Sequence, residues 1–382
     1  MFLAHGASVD MRDNMNWRPL HHAAFHRSHR VMAALLAHPG IDVNAMADAG
    51  WRPLDVCASV EGVRALLAAG AVHTATANAP MPSLHCAAFF GRPDVVQELL
   101  ARGADVHEIV SQAAAKISFA LEFGGAPLHF AAASLCGARS FRSSAGPEFT
   151  AQNFPNHVDA GMASARRVAV VEALAAAGAD LNHMTPRQLQ RATSLTSGEL
   201  SPLHIAAHYG DAAVVAALLR VGAAINAAHP VSGWSALHMA VEQNQADVVY
   251  TLAAGGADVN RSMPGDRKTT PLDWAVLDNK HAVVRALLES GADSSAIVQL
   301  LPRTTRETLP HVLDATTRKL LSDHVSGVAR PTPVCALPGC EARRRVDYDD
   351  KGLMACGACK ARALRGCQAL RGAGHAVYAR QH

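Results

Sequence analysis

The sequence predicts an all-α solenoid of about seven stacked helix pairs, followed by a small cysteine-rich module. Three observations predict it. First, Ser201-Pro202-Leu203-His204-Ile205-Ala206-Ala207 leads into Val214-Val215 and Leu218-Leu219 and closes on Gly222-Ala223-Ala224-Ile225-Asn226. Second, the template recurs: His204 to His238 is 34 residues, and Thr270-Pro271-Leu272-Asp273 leads again to Leu287-Leu288 and Gly291-Ala292-Asp293. A recurrent period of this length marks helix pairs stacked side by side. Third, five of the eight cysteines lie after residue 334.

One unit explains itself physically. Ser or Thr before Pro places an N-cap ahead of the residue best tolerated in a first helical turn. The following His is expected to bond hydroxyl and backbone groups across adjacent turns, a structural role. Small Ala residues let paired helices approach, and Val-Val-x-x-Leu-Leu supplies the buried stripe of the second helix. Gly ends that helix in a left-handed conformation, and Ala-Asp-Val-Asn starts the turn to the next unit. A lone copy cannot bury its apolar face, so stability requires neighbours. These residues resemble the ankyrin repeat, whose Thr-Pro-Leu-His-x-Ala signature they match almost letter for letter. The resemblance implies a concave protein-binding surface of turns and first helices.

Taken in order, the first full repeat runs from Trp17-Arg18-Pro19-Leu20-His21 to Ile41-Asp42-Val43-Asn44. Ahead of it, Met1 to Asp10 reads as the tail of a repeat, so an array truncated at its front is expected. The second runs from Trp51-Arg52-Pro53-Leu54-Asp55 to Gly70-Ala71 and loses residues between its helices. The third, Ser83-Leu84-His85 to Gly103-Ala104-Asp105-Val106, is regular. The fourth opens at Ala126-Pro127-Leu128-His129 but reaches its second helix only near Arg167 to Glu172. The stretch between, about 134–165, reads as a long exposed loop. Its Phe141, Phe149 and Phe154 read either as a binding patch or as incidental aromatics. Two further expansions, Glu108 to Gly125 and Met184 to Glu199, fall at the finger-like turns. Three regular repeats follow. Ala296 to Leu301 and Thr316 to His324 read as capping helices, and Gly327 to Pro333 as a linker. The expected division is thus an array over 1–298, cap and linker over 299–333, and a finger over 334–382.

Composition narrows the function. Nearly half the residues are apolar and aromatics are scarce, which suits thin helix pairs. The net charge of +3 supplies no global field for nucleic acid, although ten Lys or Arg stand against four Asp or Glu from Arg330 onward. No apolar run is long enough to span a membrane, and the N-terminus lacks a signal-peptide pattern. A cytoplasmic or nuclear monomer is expected. Cys57, Cys86 and Cys136 sit in or beside helical repeat positions and read as buried, reduced thiols.

The tail carries Cys335 and Cys340, Cys356 and Cys359, then Cys367, His375 and His382. Paired cysteines at short spacing suit tetrahedral zinc, and so short a segment would draw its folding energy from metal. The stretch resembles the MYND-type zinc finger, which interleaves two sites over seven cysteines and one histidine. Four residues rather than two part Cys335 from Cys340, the fifth Cys is missing, and Ala379 stands at the last Cys position. The resemblance implies one site from Cys356, Cys359, His375 and His382, with Cys335, Cys340 and Cys367 in the other. A single four-Cys site from Cys335, Cys340, Cys356 and Cys359 is the competing arrangement.

The expected function is therefore a non-catalytic adaptor. Its array would bind one protein, and its zinc finger another, as MYND fingers bind proline-containing peptides. Two alternatives are a ubiquitin-ligase-associated component and a nucleic-acid-binding zinc module using the basic tail, including Arg343 to Arg345. No Gly-rich phosphate loop or nucleophile elbow points to an enzyme.

Overall fold

The computed structural model describes residues 8–76, 81–111, 124–133, 160–186, 199–230, 232–262, 269–294, 315–325, 346–348 and 354–356. Among these lie fifteen α-helices and two short strands. The first helix pairs are α1 (Pro19–Phe25) with α2 (His29–Leu36), and α3 (Pro53–Val56) with α4 (Val60–Ala68). Next come α5 (Ser83–Phe89) with α6 (Pro93–Ala101), and α7 (Pro127–Ala132) with α8 (Ala160–Ala176). The regular run is α9 (Pro202–Tyr209) with α10 (Ala212–Arg220), α11 (Ala236–Glu242) with α12 (Ala246–Ala254), and α13 (Pro271–Leu277) with α14 (His281–Glu289). Helix α15 (Ala315–Val325) follows. One expectation is corrected: α8 begins at Ala160, so the end of the stretch expected as loop is helical, and α8 is 17 residues long.

Contacts divide the chain into two units, Met1–Val248 and Val249–His382, with the boundary inside α12. In the first unit the helices form two layers. The first helices stack in sequence, α1 on α3, then α5, α7, α9 and α11, and the second helices stack α2, α4, α6, α8 and α10. The first layer is close because its contact residues are small: Ala23 and Ala24, Ala87 and Ala88, Ala131 and Ala132, Ala206 and Ala207 are all buried. The second layer buries the apolar stripe at helical spacing, with Val95, Val96 and Leu99, then Val170, Val171 and Leu174, then Val214, Val215 and Leu218.

The turns follow from backbone conformation. Gly178 and Gly222 take φ of +87° and +103° just past the second helices, where only glycine is unstrained. Between α9 and α10, Gly210 has φ +85°, and a Cβ there would lie 2.4 Å from the Gln245 side chain. The shortened second repeat needs its own remedy. Helix α3 has four residues, and the carbonyls of Val56 and Cys57 at its end accept bonds of 3.0 and 2.7 Å from Arg92 Nη1 of the next repeat. Those carbonyls would otherwise be orphans of the helix end. Gly62 makes the tight passage possible, since a Cβ would meet Cys57 Sγ at 2.6 Å. Cys57 and Cys86 are buried free thiols, their pKa values raised chiefly by burial, as a structural role requires.

In the second unit, Thr270 Oγ1 accepts from the Asp273 amide at the start of α13, and Asp273 accepts in return from the Thr270 amide at 2.8 Å. Helix α14 buries Val283, Val284 and Leu287, and α15 packs against it with Leu321 fully buried. The two strands, β1 (Val346–Tyr348) and β2 (Met354–Cys356), pair antiparallel with Val346 opposite Cys356.

Because Leu218 is wholly buried between second helices, Leu218→Ala is expected to cost about 2–5 kcal/mol. An unchanged denaturant midpoint would show that the helical register is wrong.

Candidate interaction surface

All but one of the fingers whose roots are described are closed there by one recurring bond, the exception being the finger before α5, where the Ser83 amide donates to His73 O at 2.9 Å. In the recurring bond the last amide of the outgoing strand donates to a carbonyl one residue before the next helix cap: Ala47 to Trp51 at 2.8 Å, Val110 to Gly125 at 3.0 Å, His229 to Trp234 at 2.6 Å. The same carbonyl takes a second bond from the preceding repeat. His21 Nε2 donates to Trp51 O at 3.0 Å, His85 Nε2 to Gly125 O at 3.1 Å, and His204 Nε2 to Trp234 O at 3.1 Å. The other ring nitrogen works locally. Nδ1 of His21 accepts the Arg18 amide at 3.1 Å, and Nδ1 of His238 accepts the Ser235 amide at 3.1 Å. An amide on Nδ1 and a carbonyl on Nε2 select the Nε2–H tautomer. The histidine is thus a capping-box residue that also fastens the next finger.

The variants obey the same chemistry. Asp55 replaces His in the second repeat and accepts the Arg52 amide at 2.9 Å, but a carboxylate has no proton to donate onward. Arg52 supplies it. Its guanidinium pairs with Asp55 at 2.9 Å and donates from Nη2 to Met81 O at 3.1 Å and from Nη1 to Thr74 O at 2.8 Å. Met81 O stands where Trp51, Gly125 and Trp234 stand in the other repeats. Both side chains are buried, and although burial opposes it, Asp55 holds the Arg52 pKa above its usual value. In the third repeat the cap is Pro82, which has no amide hydrogen, and His85 Nδ1 consequently has no partner among the described residues.

The turns are laced independently. Asp42, Asp105, Asp180 and Asp258 each accept the amide two residues on. The following Asn then reaches the next turn: Asn44 Oδ1 accepts the Val72 amide at 2.8 Å, Asn182 the Ala224 amide at 2.8 Å, and Asn260 the Asp293 amide at 2.7 Å. This accounts for Ala-Asp-Val-Asn in the template.

Two fingers are lengthened on these standard roots. Val110 and Gly125 exchange both backbone bonds, and residues 112–123 intervene. Thr185 likewise exchanges bonds with Glu199 and Leu200, and residues 187–198 intervene. The expected expansions are therefore insertions within fingers. Gly125 permits the first closure, because at φ +133° a Cβ would lie 2.9 Å from His129 Nδ1. Exposed apolar side chains gather on the same edge of the template. Of the six large exposed hydrophobic residues among those described, Met11, Met46, Val72 and Ile109 occupy four successive fingers of the first unit. Singly such residues mean nothing; one on each of four neighbouring turns is a row. Sequence reasoning missed this row, as it missed Arg52–Asp55, Arg92 and the Asn lacing. The substitution of Asp for His beside a Trp-Arg-Pro signature was the signal for the first of these.

The expected metal ligands are placed as follows. Cys356 ends β2, opposite Val346. Cys335, Cys340, Cys359, Cys367, His375 and His382 lie outside the described residues, as do Cys136, Phe141, Phe149 and Phe154. Among the described residues no cluster of His, Cys, Asp or Glu could hold a metal ion, and no helix is long and apolar enough to cross a membrane. The template histidines are buried and committed to backbone groups, which accounts for their abundance without chemistry. Burial, above all, lowers the pKa of His85 to about 3 and those of His129 and His204 to about 4.

Comparison with models of known families identifies ankyrin repeats. Models of ankyrin repeats match residues 15–45, 83–110, 161–263 and 203–297. The human ASB11 ankyrin repeat domain is similar at 22% identity, covering 72% of this chain and 99% of that one, with a TM-score of 0.49. Among curated proteins, none matches.

The lowered histidine pKa values set a pH dependence. The unfolded chain takes up protons at His85, His129 and His204 below about pH 6.5, while the folded chain does so only near 3 to 4. The unfolded state therefore binds more protons in that window, and stability falls as pH falls, by up to about 1.4 kcal/mol per pH unit for each histidine. Denaturant midpoints between pH 7 and 5 are expected to decline, and His204→Gln to flatten the slope. A midpoint constant over that range would show that these rings are not buried neutral.

Proposed function

The chain belongs to the ankyrin-repeat family, and we propose that it is a non-catalytic adaptor whose array binds one protein while its cysteine-rich tail holds zinc and engages another. The observation that carries the first half is the row Met11, Met46, Val72 and Ile109 on successive fingers. Apolar side chains held out by rooted turns lose water on contact with a partner, and such exposed rows mark interaction sites. The roots of the two lengthened fingers, Val110 with Gly125 and Thr185 with Leu200, lie on the same edge.

The second half rests on the donor set. Five cysteines and two histidines are chemically suited to zinc, which takes thiolate and imidazole without demanding one geometry. Cys356 and Cys359 would serve in both ligand arrangements, and pairing of β1 with β2 brings Cys356 beside Val346 at the start of that pair. Bound zinc would supply the folding energy that so small a segment lacks. A MYND-like tail would then offer a surface for proline-containing peptides.

Partners captured from native extract on the full chain are expected to be proteins, and Met46→Glu with Ile109→Glu to abolish their retention at an unchanged thermal midpoint. Retention unaffected by both changes would move the binding face elsewhere, whereas recovery of nucleic acid or a ubiquitin-conjugating enzyme would favour the alternatives. For the tail, mass spectrometry of the intact chain is expected to find at least one zinc, lost in Cys356→Ser with the array still folded. His375→Ala loses metal only if the sites interleave. A reduced protein without zinc, and without uptake of added zinc, would refute the metal assignment.

A further inference from the structure

The turns between α3 and α4 and between α5 and α6 enclose a cleft of about 240 Å³, on the opposite edge of the repeats from the fingers. Three arginines line it: Arg27 from the α1–α2 turn, Arg92 from the α5–α6 turn and Arg166 from α8. Their surroundings differ from those of the buried Arg52 and Arg167. Arg52 has Asp55, and Arg167, one residue from Arg166, has Asp211 at 3.5 Å. Arg27, Arg92 and Arg166 have no carboxylate within ion-pair distance among the described residues.

Arg92 is the anchor. It is 8% exposed, and its contacts are the Val56 and Cys57 carbonyls and the face of the Phe90 ring at 4.7 Å. Its Nε is buried with no hydrogen-bond partner. Burial, together with the neighbouring Arg27 and Arg166 charges, lowers its pKa to about 10. A cation desolvated beside two like charges is costly without an anion to answer it.

We propose that this cleft binds a phosphate group. The charge balance favours a dianion. Glu61 and Asp94 also line the cleft and offset two of the three guanidiniums. Helices α4 and α6, each nine residues long, begin at its wall and each add roughly half a positive charge. About two positive charges remain, matching the charge of a phosphate monoester at neutral pH. Guanidinium forks suit phosphate oxygens. The size argues the same way: the volume is below the roughly 300 Å³ at which small-molecule pockets begin, enough for a phosphoryl head. The proposal is independent of which protein the fingers bind.

The test is titration calorimetry of the full chain with inorganic phosphate and with O-phosphoserine, against sodium chloride at equal ionic strength. Arg166→Gln and Arg27→Gln, both at solvent-reached positions, are expected to weaken phosphate binding at least tenfold while the thermal midpoint without phosphate is unchanged. Glu61→Gln is expected to tighten it several-fold. Tighter binding of phosphoserine would identify a phosphorylated side chain as the source, and equal binding free phosphate. Heat from phosphate that matches chloride, or that is the same in Arg166→Gln, Arg27→Gln and the unaltered chain, would overturn the proposal.

Discussion

At three finger roots one carbonyl, that of Trp51, Gly125 or Trp234, takes two hydrogen bonds, and the register of the array depends on it. One bond closes the finger on itself and the other comes from the repeat before. A backbone carbonyl has two lone pairs, and this arrangement uses both. Local turn geometry and inter-repeat register are therefore not separate problems. A finger that failed to close would present its carbonyl wrongly to the preceding histidine, and a shifted histidine would leave a buried acceptor unmet. In a quasi-one-dimensional fold, whose stability is a sum of neighbour terms, such a shared atom makes each term steep.

Around that constraint the remaining interactions divide by layer. Alanines keep the first helices close, so the ring of His21 or His204 can span from its own cap to the next root. The Val-Val-x-x-Leu stripes supply the apolar burial. Ion pairs join neighbouring second helices at the surface, as Arg64 does with Glu98 at 2.8 Å and Arg220 with Glu172 at 2.8 Å. Exposed pairs of this kind contribute little. The buried Arg167–Asp211 contact differs, since Asp211 also caps α10 and accepts from Ser164 at 2.6 Å. It ties the lengthened helix α8 to the regular run that follows.

Much of this was legible in the sequence because it repeats. The period, the Pro after the cap and the Val-Val-x-x-Leu stripe located seven helix pairs, and the odd lengths between Glu108 and Gly125 and between Met184 and Glu199 located the lengthened fingers. What resisted reading was compensation. That Arg52 completes what Asp55 cannot do, or that Arg92 caps a helix one repeat away, depends on side chains meeting across a stack, and no spacing within one repeat encodes it. The start of α8 at Ala160 was hidden for another reason: Ala-Gly-Met-Ala-Ser has no apolar period, and its helicity comes from continuity with the stripe that begins at Val168. The finger row escaped because Met11, Met46, Val72 and Ile109 are unremarkable one at a time.

The turn lacing has a gap that bears on mechanics. Asn44, Asn182 and Asn260 each stitch one turn to the next, but Thr74 stands in that place in the second repeat and His107 in the third, and neither makes such a stitch to the following turn among the described residues. The His85–Gly125 bond at the latter junction remains. A joint fastened along one strand and open along the other yields to rotation more readily than to separation. Bending of the first unit would therefore concentrate around the turn of the third repeat, which no Asn stitches to the turn before it or the turn after it. The array would behave less as a uniform spring than as two stiff segments sharing a hinge.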